Sequence, residues 1–293
     1  MINGHTKLYG LLAHPAAHSL SPLIHNTSFE VTGINGVYLA FDVIPDNLKP
    51  SIEAMRAMNI GGVNLSMPLK TEVLPLLDEV TPRATRLRAV NTITNHAGRL
   101  IGDTTDGQGF IDALESAGIT VKNQKITILG AGGAGRSIIA AAIEAGAAKI
   151  TVFKRENATF MSRKKLLESW STVITVIPYG DDHAMAKSVA DSQIIVNATN
   201  LGMGENQLLP ISQTVLTQLT PQHVVVDAIY FPLETPLVAA AKKRGCRTFN
   251  GVGMLVHQAA GSFRQWTGQK MPVETVMAKV KRAVAKRIQD QSG

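Results

Sequence analysis

The stretch Lys125-Ile-Thr-Ile-Leu-Gly-Ala-Gly-Gly-Ala-Gly135 constrains the fold of this chain more than any other. A β-branched run leads straight into Gly-x-Gly-x-x-Gly at Gly130, Gly132 and Gly135, and residues suited to a helix follow at 136–144. In a dinucleotide site the first glycine makes the tight turn. The second lets a pyrophosphate approach the backbone, and the third lets helix and strand pack closely. The free N–H groups and positive dipole end of the helix then receive the phosphates. Glycine-rich turns are common, so an ordinary strand-to-helix turn is the alternative; the flanking strand and helix are what give the motif its meaning.

Around this motif, residues 112–250 alternate between apolar strands and helical stretches, with strands expected at 125–129, 149–153, 173–177, 193–197, 223–227 and 247–249. That pattern signals βαβ units and a parallel sheet. Gly118, Gly146 and Gly245 stand where helix C-caps belong. A Rossmann domain that starts this late leaves room for another domain before it, and 293 residues suffice for two cores. The first ~110 residues read as a second α/β unit by domain size. Strands are expected at 8–12, 37–41 and 62–65, and a helix starting at Ser21-Pro22 with Ser21 as N-cap ends at Gly33. A further helix is expected at 47–58, and a hairpin turns at His96-Ala97-Gly98. The fold class is thus α/β with two α/β domains: 1–111, a Rossmann domain at 112–254, and C-terminal helices at 255–293 returning to the first. A cleft between the domains is the expected place for a site.

Hydrophobic residues make up 45% and charged residues 17% of the chain, the balance of a globular protein. No charged leader precedes an apolar run and no apolar run reaches membrane-spanning length, so neither a signal peptide nor a membrane partner is expected. The single cysteine, Cys246, excludes an intramolecular disulfide and a cysteine zinc cluster, and fits a reducing cytoplasm. The eight histidines lack metal-ligand spacing such as HExxH, so no metal is expected. The net charge of +7 would suit a nucleic acid, but +4 of it lies in residues 276–293, on Lys279, Lys281, Arg282, Lys286 and Arg287 against Asp290. Val276, Val280, Val284 and Ile288 repeat there every four residues, the pattern of a docked amphipathic helix. No nucleic-acid partner is expected.

The first half carries four short polar motifs: His18-Ser-Leu-Ser-Pro22, Asn64-Leu-Ser-Met-Pro-Leu-Lys70, Ala89-Val-Asn-Thr92 and Gly102-Asp-Thr-Thr-Asp-Gly-Gln-Gly-Phe110. They fall at strand-to-helix or strand-to-turn junctions, where ligands bind open α/β sheets. They supply the hydroxyls of Ser19, Ser21 and Ser66, the Asn91 amide, the Lys70 ammonium and the Asp106 carboxylate. Such a set suits a small, polyhydroxylated, anionic molecule. A Lys–Asp pair can serve the proton transfer that accompanies hydride transfer at a carbinol carbon. Local alternatives stay open. Lys70 can be a solvated lysine, Asp106 and Ser21 helix caps, and Asn91 a partner for backbone groups.

These residues resemble the shikimate dehydrogenase family, including its quinate/shikimate branch. HSLSP, NxSxPxK, AVNT, GxxTDGxGF and GAGGAG fall in the family's order, followed by Asn197-Ala-Thr-Asn-Leu-Gly-Met203, Asp227-Ala-Ile-Tyr-Phe-Pro-Leu-Glu-Thr-Pro236 and Gly251-Val-Gly-Met-Leu-Val-His-Gln258. The resemblance runs nearly end to end. It implies Lys70 and Asp106 as the catalytic pair, and Ser19 and Ser21 as the binders of a substrate carboxylate. It implies hydroxyl-binding roles for Ser66, Asn91 and Gln258, with Tyr230 near the substrate; Tyr230 and Gln258 can equally be interface residues. Gly130, Ala131, Gly132, Gly133, Ala134 and Gly135 match the pyrophosphate loop. Thr199, Met203, Gly253 and Met254 fall in segments lining the nicotinamide side. Two positions depart from the family: Thr104 stands where Asn is usual, and Ser66 where Thr is usual.

The implied reaction is reversible NAD(P)-dependent reduction of 3-dehydroshikimate to shikimate in aromatic amino acid biosynthesis, by a monomer or homodimer. Quinate dehydrogenation and a catalytically inactive nucleotide-sensing paralogue are the alternatives. For the cofactor, the second Rossmann strand ends Val152-Phe153-Lys154-Arg155-Glu156-Asn157. Arginine at this place suits the 2′-phosphate of NADP, whereas an acid suits the ribose of NAD. Lys154 and Arg155 favour NADP; Glu156, if it points inward, favours NAD.

Overall fold

The computed structural model describes residues 2–292, with side chains described through Arg287. The chain divides into two compact units, residues 1–109 with 256–280 and residues 110–255 with 281–293.

The first unit runs β1 (Lys7–Ala13), α1 (Ser21–Thr32), β2 (Gly36–Asp42), α2 (Leu48–Ala57), β3 (Gly62–Leu65), β4 (Glu79–Val80), α3 (Pro82–Leu87), β5 (Thr92–His96), β6 (Arg99–Asp103) and the start of α4 (Asp106–Ser116). Its sheet has the order β2-β1-β3-β5-β6-β4. β1 pairs in parallel with β2 and β3, whereas β5 is antiparallel to both β3 and β6. The sheet is therefore mixed. The hairpin β5–β6 turns through Ala97 and Gly98 at φ 52° and 94°, with His96 paired to Arg99. Two residues at positive φ give the tight turn that matches strand twist. The short β4 and α3 were not legible in the sequence; two and six residues are too few to show a period. Leu12, Val63, Leu65, Ile93 and Leu100 bury against Ile52 and Met55 of α2 as one core.

Antiparallel pairing brings distant segments together. The last residues of β1, β3 and β6 and the first of β5 lie at one end of this sheet, with Asn64 paired to Thr92 and Thr92 to Asp103. All four polar motifs of the first half leave the strands at that end.

The second unit contains β7 (Lys125–Leu129), α5 (Gly133–Glu144), β8 (Lys149–Lys154), α6 (Phe160–Glu168), β9 (Ile174–Pro178), α7 (Asp182–Asp191), β10 (Ile194–Asn197), α8 (Gln213–Leu216), β11 (Val224–Asp227), α9 (Pro236–Lys243) and β12 (Arg247–Phe249). Its six strands are all parallel, in the order β12-β11-β10-β7-β8-β9. Read from the β9 edge this is 3-2-1-4-5-6, the doubly wound order whose direction reverses beside the first strand. Successive residues feed opposite faces. Ile126, Ile128, Val152 and Val196 bury against Ile138 and Ile139 of α5, and Leu129, Phe153, Ile195 and Val225 against Val215 and Leu237.

α10 (Val252–Thr267) and α11 (Val273–Ser292) close the chain. Val276, Val280 and Val284 are buried on α11 as the four-residue repeat requires, while the Ile288 side chain lies outside the described residues. Residues 281–293 group with the second unit, whereas the sequence reading assigned all of 255–293 to the first. α11 is 20 residues long, about 30 Å at helical rise, and the grouping changes partway along it. No helix of the described residues is long and apolar enough to cross a membrane.

Candidate active site

At the motif-bearing end of the first unit's sheet, the Lys70 ammonium donates to Asp106 Oδ2 at 2.6 Å. Asp106 Oδ1 accepts from Asn91 Nδ2 at 2.7 Å. Each carboxylate oxygen therefore has its own donor, which fixes the plane of the group. Backbone bonds hold the three residues in place. Ser66 and Leu69 close a turn after β3 that delivers Lys70, and Lys70 O accepts Val90 N at 2.8 Å. Asn91 N donates to Asp103 O at 3.0 Å. Asp106 is the first residue of α4, reached by a two-residue turn from β6.

Asn91 is the hub of this cluster. Besides Asp106, its amide nitrogen donates to Thr105 Oγ1 at 3.0 Å and faces Gln258 Oε1 of α10 at 3.4 Å. Its Oδ1 accepts Thr105 N at 2.9 Å and Thr92 Oγ1 at 2.8 Å. Below it, Asn64 links the Asn91 carbonyl, Thr92, Ser262 and the Tyr38 hydroxyl in a buried network. Burial pushes the Tyr38 phenol well above its ordinary value, so it donates as a neutral group. His25, stacked on Tyr38 at 4.4 Å, is fully buried, which lowers its pKa to about 3 and keeps it uncharged.

The serines differ from the sequence reading. Ser21 is the first residue of α1, not its N-cap; Leu20 holds that position without a side-chain bond. Ser19 makes the local bond instead, its Oγ accepting Ser21 N at 3.1 Å. Pro22 in the first turn explains the shift: it presets the helical φ one residue after Ser21 without needing a capping serine. Ser19, Ser21 and Ser66 are all half-buried.

In the second unit, Gly130 takes φ +99° as β7 ends, and a Cβ there would press on the Ala198 carbonyl. Gly135 packs its Cα against the Gly130 carbonyl, where no side chain fits. Gly132 is the N-cap of α5, and Gly133 and Ala134 form its first turn. A cavity of about 410 Å³ opens over this loop, lined by Gly130, Ala131, Gly132 and Thr199 and walled by Lys154 and Arg155. Met203, Gly253 and Met254 do not line it. Met254 packs on the core between sheet and helix, while Met203 is exposed. Tyr230, half-buried, follows β11 in the second unit.

The sequence reading missed Asn157, Thr159, Arg163 and Tyr179, which also line this cavity. Arg163 lies four residues after Thr159, one turn into α6, so a helix projected from Thr159 would have flagged it. Tyr179 comes from the neighbouring strand, beyond the Lys154–Pro178 pair. Asn157 Oδ1 accepts Lys154 Nζ at 2.7 Å and Thr159 N at 3.1 Å, locking the loop after β8. Lys154, Arg155 and Arg163 form no ion pair among the described residues. Burial, then repulsion from Arg163 and Arg155, holds the Lys154 pKa below its ordinary value. Glu156 is exposed and does not line the cavity. The walls thus present three unbalanced cations beside a glycine loop and a helix N-terminus, an arrangement that fits a dinucleotide carrying an extra phosphate. Among the described residues, no group of three or more His, Cys, Asp or Glu side chains could hold a metal ion.

Three family models match the chain. Residues 11–93 match the shikimate dehydrogenase substrate binding domain, 98–229 the alanine dehydrogenase/PNT C-terminal domain, and 251–281 the shikimate 5′-dehydrogenase C-terminal domain. A shikimate dehydrogenase (NADP(+)) of Streptococcus thermophilus is 40% identical over 278 residues, covering 94% of this chain and 96% of that protein. The crystal structure of shikimate 5-dehydrogenase from Listeria monocytogenes in complex with shikimate and NAD superposes with a TM-score of 0.91 at 37% identity, covering 95% of this chain and 98% of that one. Quinate dehydrogenase from Corynebacterium glutamicum in complex with NAD gives 0.84 at 29% identity, covering 93% and 98%. Identity of this order across nearly the whole length of both chains, joined to a doubly wound second unit and the ordered motifs of the first, is shared ancestry rather than shared architecture alone: the chain belongs to the shikimate dehydrogenase family.

Proposed function

We propose that this protein is a shikimate dehydrogenase that interconverts shikimate and 3-dehydroshikimate with NADP as the preferred dinucleotide. The observation that carries the reading is the Lys70–Asp106 pair at 2.6 Å, oriented by Asn91 where the substrate-binding family model ends. Residues 1–109 with 256–280 would bind the substrate, and 110–255 the dinucleotide.

The bound dinucleotide supplies the hydride acceptor in the oxidative direction. Lys70 and Asp106 manage the proton: the substrate hydroxyl gives its proton to the pair as its carbon is oxidised, and the pair returns it in reduction. Asn91 keeps the Asp106 carboxylate turned toward Lys70. The Ser19 and Ser21 hydroxyls would receive the substrate carboxylate, and the Ser66 hydroxyl and the Gln258 amide its ring hydroxyls. Lys154, Arg155 and Arg163 would receive the 2′-phosphate, and the α5 N-terminus the pyrophosphate. The single buried cysteine is consistent with a cytoplasmic enzyme.

The test is absorbance of the reduced nicotinamide with shikimate or quinate, each with NADP⁺ or NAD⁺. Fastest turnover is expected with shikimate and NADP⁺. Faster turnover of quinate, favoured by the likeness to the Corynebacterium enzyme, would move the protein to that branch. Silence in all four reactions from folded, dinucleotide-binding protein would make it a nucleotide sensor.

A further inference from the structure

Asp103 is the most heavily engaged carboxylate near the site, yet it touches neither Lys70 nor Asp106. Its side chain is 7% exposed. Oδ1 accepts from Thr81 Oγ1 and Arg83 Nε, both at 2.6 Å, and from Thr104 N at 2.8 Å. Oδ2 accepts from Arg83 Nη2 and from Gln265 Nε2, the latter at 2.7 Å. Donors from α3, α10 and the loop before α3 therefore converge on the residue where β6 ends and the turn to Asp106 begins. Burial alone would raise the carboxyl pKa, but the Arg83 and Thr81 hydrogen bonds and the Arg83 charge outweigh it and hold it low. The Asp103 carbonyl accepts Asn91 N, and Thr105, two residues on, gives its N–H to Asn91 Oδ1. The turn is thus pinned by Asp103 at one end and by Asn91 at the other, and Asp106 leaves it directly.

We infer that Asp103 is a positioning residue for the reaction: gripped by Arg83 and Gln265, it fixes the turn 103–106 that sets the Asp106 carboxylate against Lys70 and Asn91. This rests on the proposed function. Displacement of a reacting group by about 1 Å can cost roughly 10²-fold in rate, so the grip bears on turnover even though it lies outside the reacting atoms.

The experiment compares wild type, Asp103→Asn and the milder Gln265→Ala in shikimate oxidation with NADP⁺, well below each variant's melting temperature. Asp103→Asn keeps the shape but turns an amide toward Arg83. The expected result is a fall in kcat of about 10- to 100-fold for Asp103→Asn and a smaller fall for Gln265→Ala. KM for NADP⁺ should stay within about twofold, and the pH profile of kcat should be displaced, because the Lys70–Asp106 pair has been re-set. A loss of activity that merely tracks the unfolded fraction, with kcat of the folded protein and its pH profile unchanged, would overturn the inference. Should Asp103→Asn fail to fold, Gln265→Ala decides by the same criteria. If wild type itself is silent on shikimate, the proposed function fails separately. The inference is then decided by a crystal structure of Asp103→Asn or Gln265→Ala: opening of the Lys70–Asp106 contact supports it, and retention at 2.6 Å overturns it.

Discussion

The protein has two cationic centres built on opposite terms. In the first unit the Lys70 charge is met by Asp106 at 2.6 Å, and Asp106 is met in turn by Asn91. In the second, Lys154, Arg155 and Arg163 share one cavity wall with no carboxylate among the lining residues. A balanced pair gains little from binding an anion, but it has an acid and a base in contact. An unbalanced cluster repels itself, as the lowered Lys154 pKa records after burial, and an anion relieves that repulsion. On the proposed function this difference separates chemistry from binding, and substitutions should expose it.

The largest effect is expected at the balanced centre. Lys70→Ala should lower kcat with shikimate by roughly 10³-fold, in the range of general acid–base contributions, while dinucleotide affinity stays near wild type. Stopped-flow single turnovers, together with NADPH binding followed by fluorescence, would check both halves. Near-normal turnover would remove Lys70 from the mechanism.

At the unbalanced centre the loss should fall on discrimination instead. Arg155→Ala should lower kcat/KM for NADP⁺ by about 10- to 100-fold, the worth of a charged hydrogen bond, and leave NAD⁺ within a few-fold. Arg163→Gln should do the same to a lesser degree. Asn157→Ala, which frees Lys154 from its 2.7 Å bond, should cost only a few-fold. Equal losses with both dinucleotides would show that these cations do not read the 2′-phosphate. Glu156→Gln should change the ratio least, because Glu156 is exposed and does not line the cavity.

The same two centres differ in how much of them the sequence discloses. The glycine loop is a local device: a strand, three glycines and a helix within about twenty residues, each constrained by backbone geometry that glycine alone relieves. Strands 125–129 and 247–249 are accordingly seen where they were expected. The cavity wall is half local, since Lys154 and Arg155 end β8, whereas Tyr179 enters only through strand pairing. In the first unit the motifs and their order are legible, but what joins them is not. Asn91 meets Gln258 across 167 residues, and Asp103 meets Gln265 across 162. Such contacts depend on sheet order and helix docking, which no local period encodes. Ser21 was misread as a cap for the opposite reason: its local signal was strong, and Pro22 satisfied the helix start without it.

The smallest effect, and the sharpest contrast, lies in two buried carboxylates. Asp103 has a cation, Arg83, and its pKa is lowered despite burial. Among the described residues, Asp227 of the second unit is held only by neutral donors, Thr235 Oγ1, Asn197 Nδ2 and Ile229 N, and burial leaves its pKa raised. The unfolded chain titrates near the ordinary aspartate value of about 3.9 in both cases. Stability contributed by Asp103 is therefore complete above that value and lost as pH falls through it toward the folded value. For Asp227 the sign reverses, and stability present below about 3.9 is lost as pH rises through the higher folded value. Urea midpoints between pH 3 and 7 should then diverge in opposite senses. Relative to wild type, Asp103→Asn should look progressively worse as pH rises, and Asp227→Asn progressively better, whatever fixed penalty each amide carries. Parallel curves would mean that Arg83 and the neutral donors support their carboxylates equally, and that the ion pair at Asp103 does nothing a hydroxyl and an amide could not.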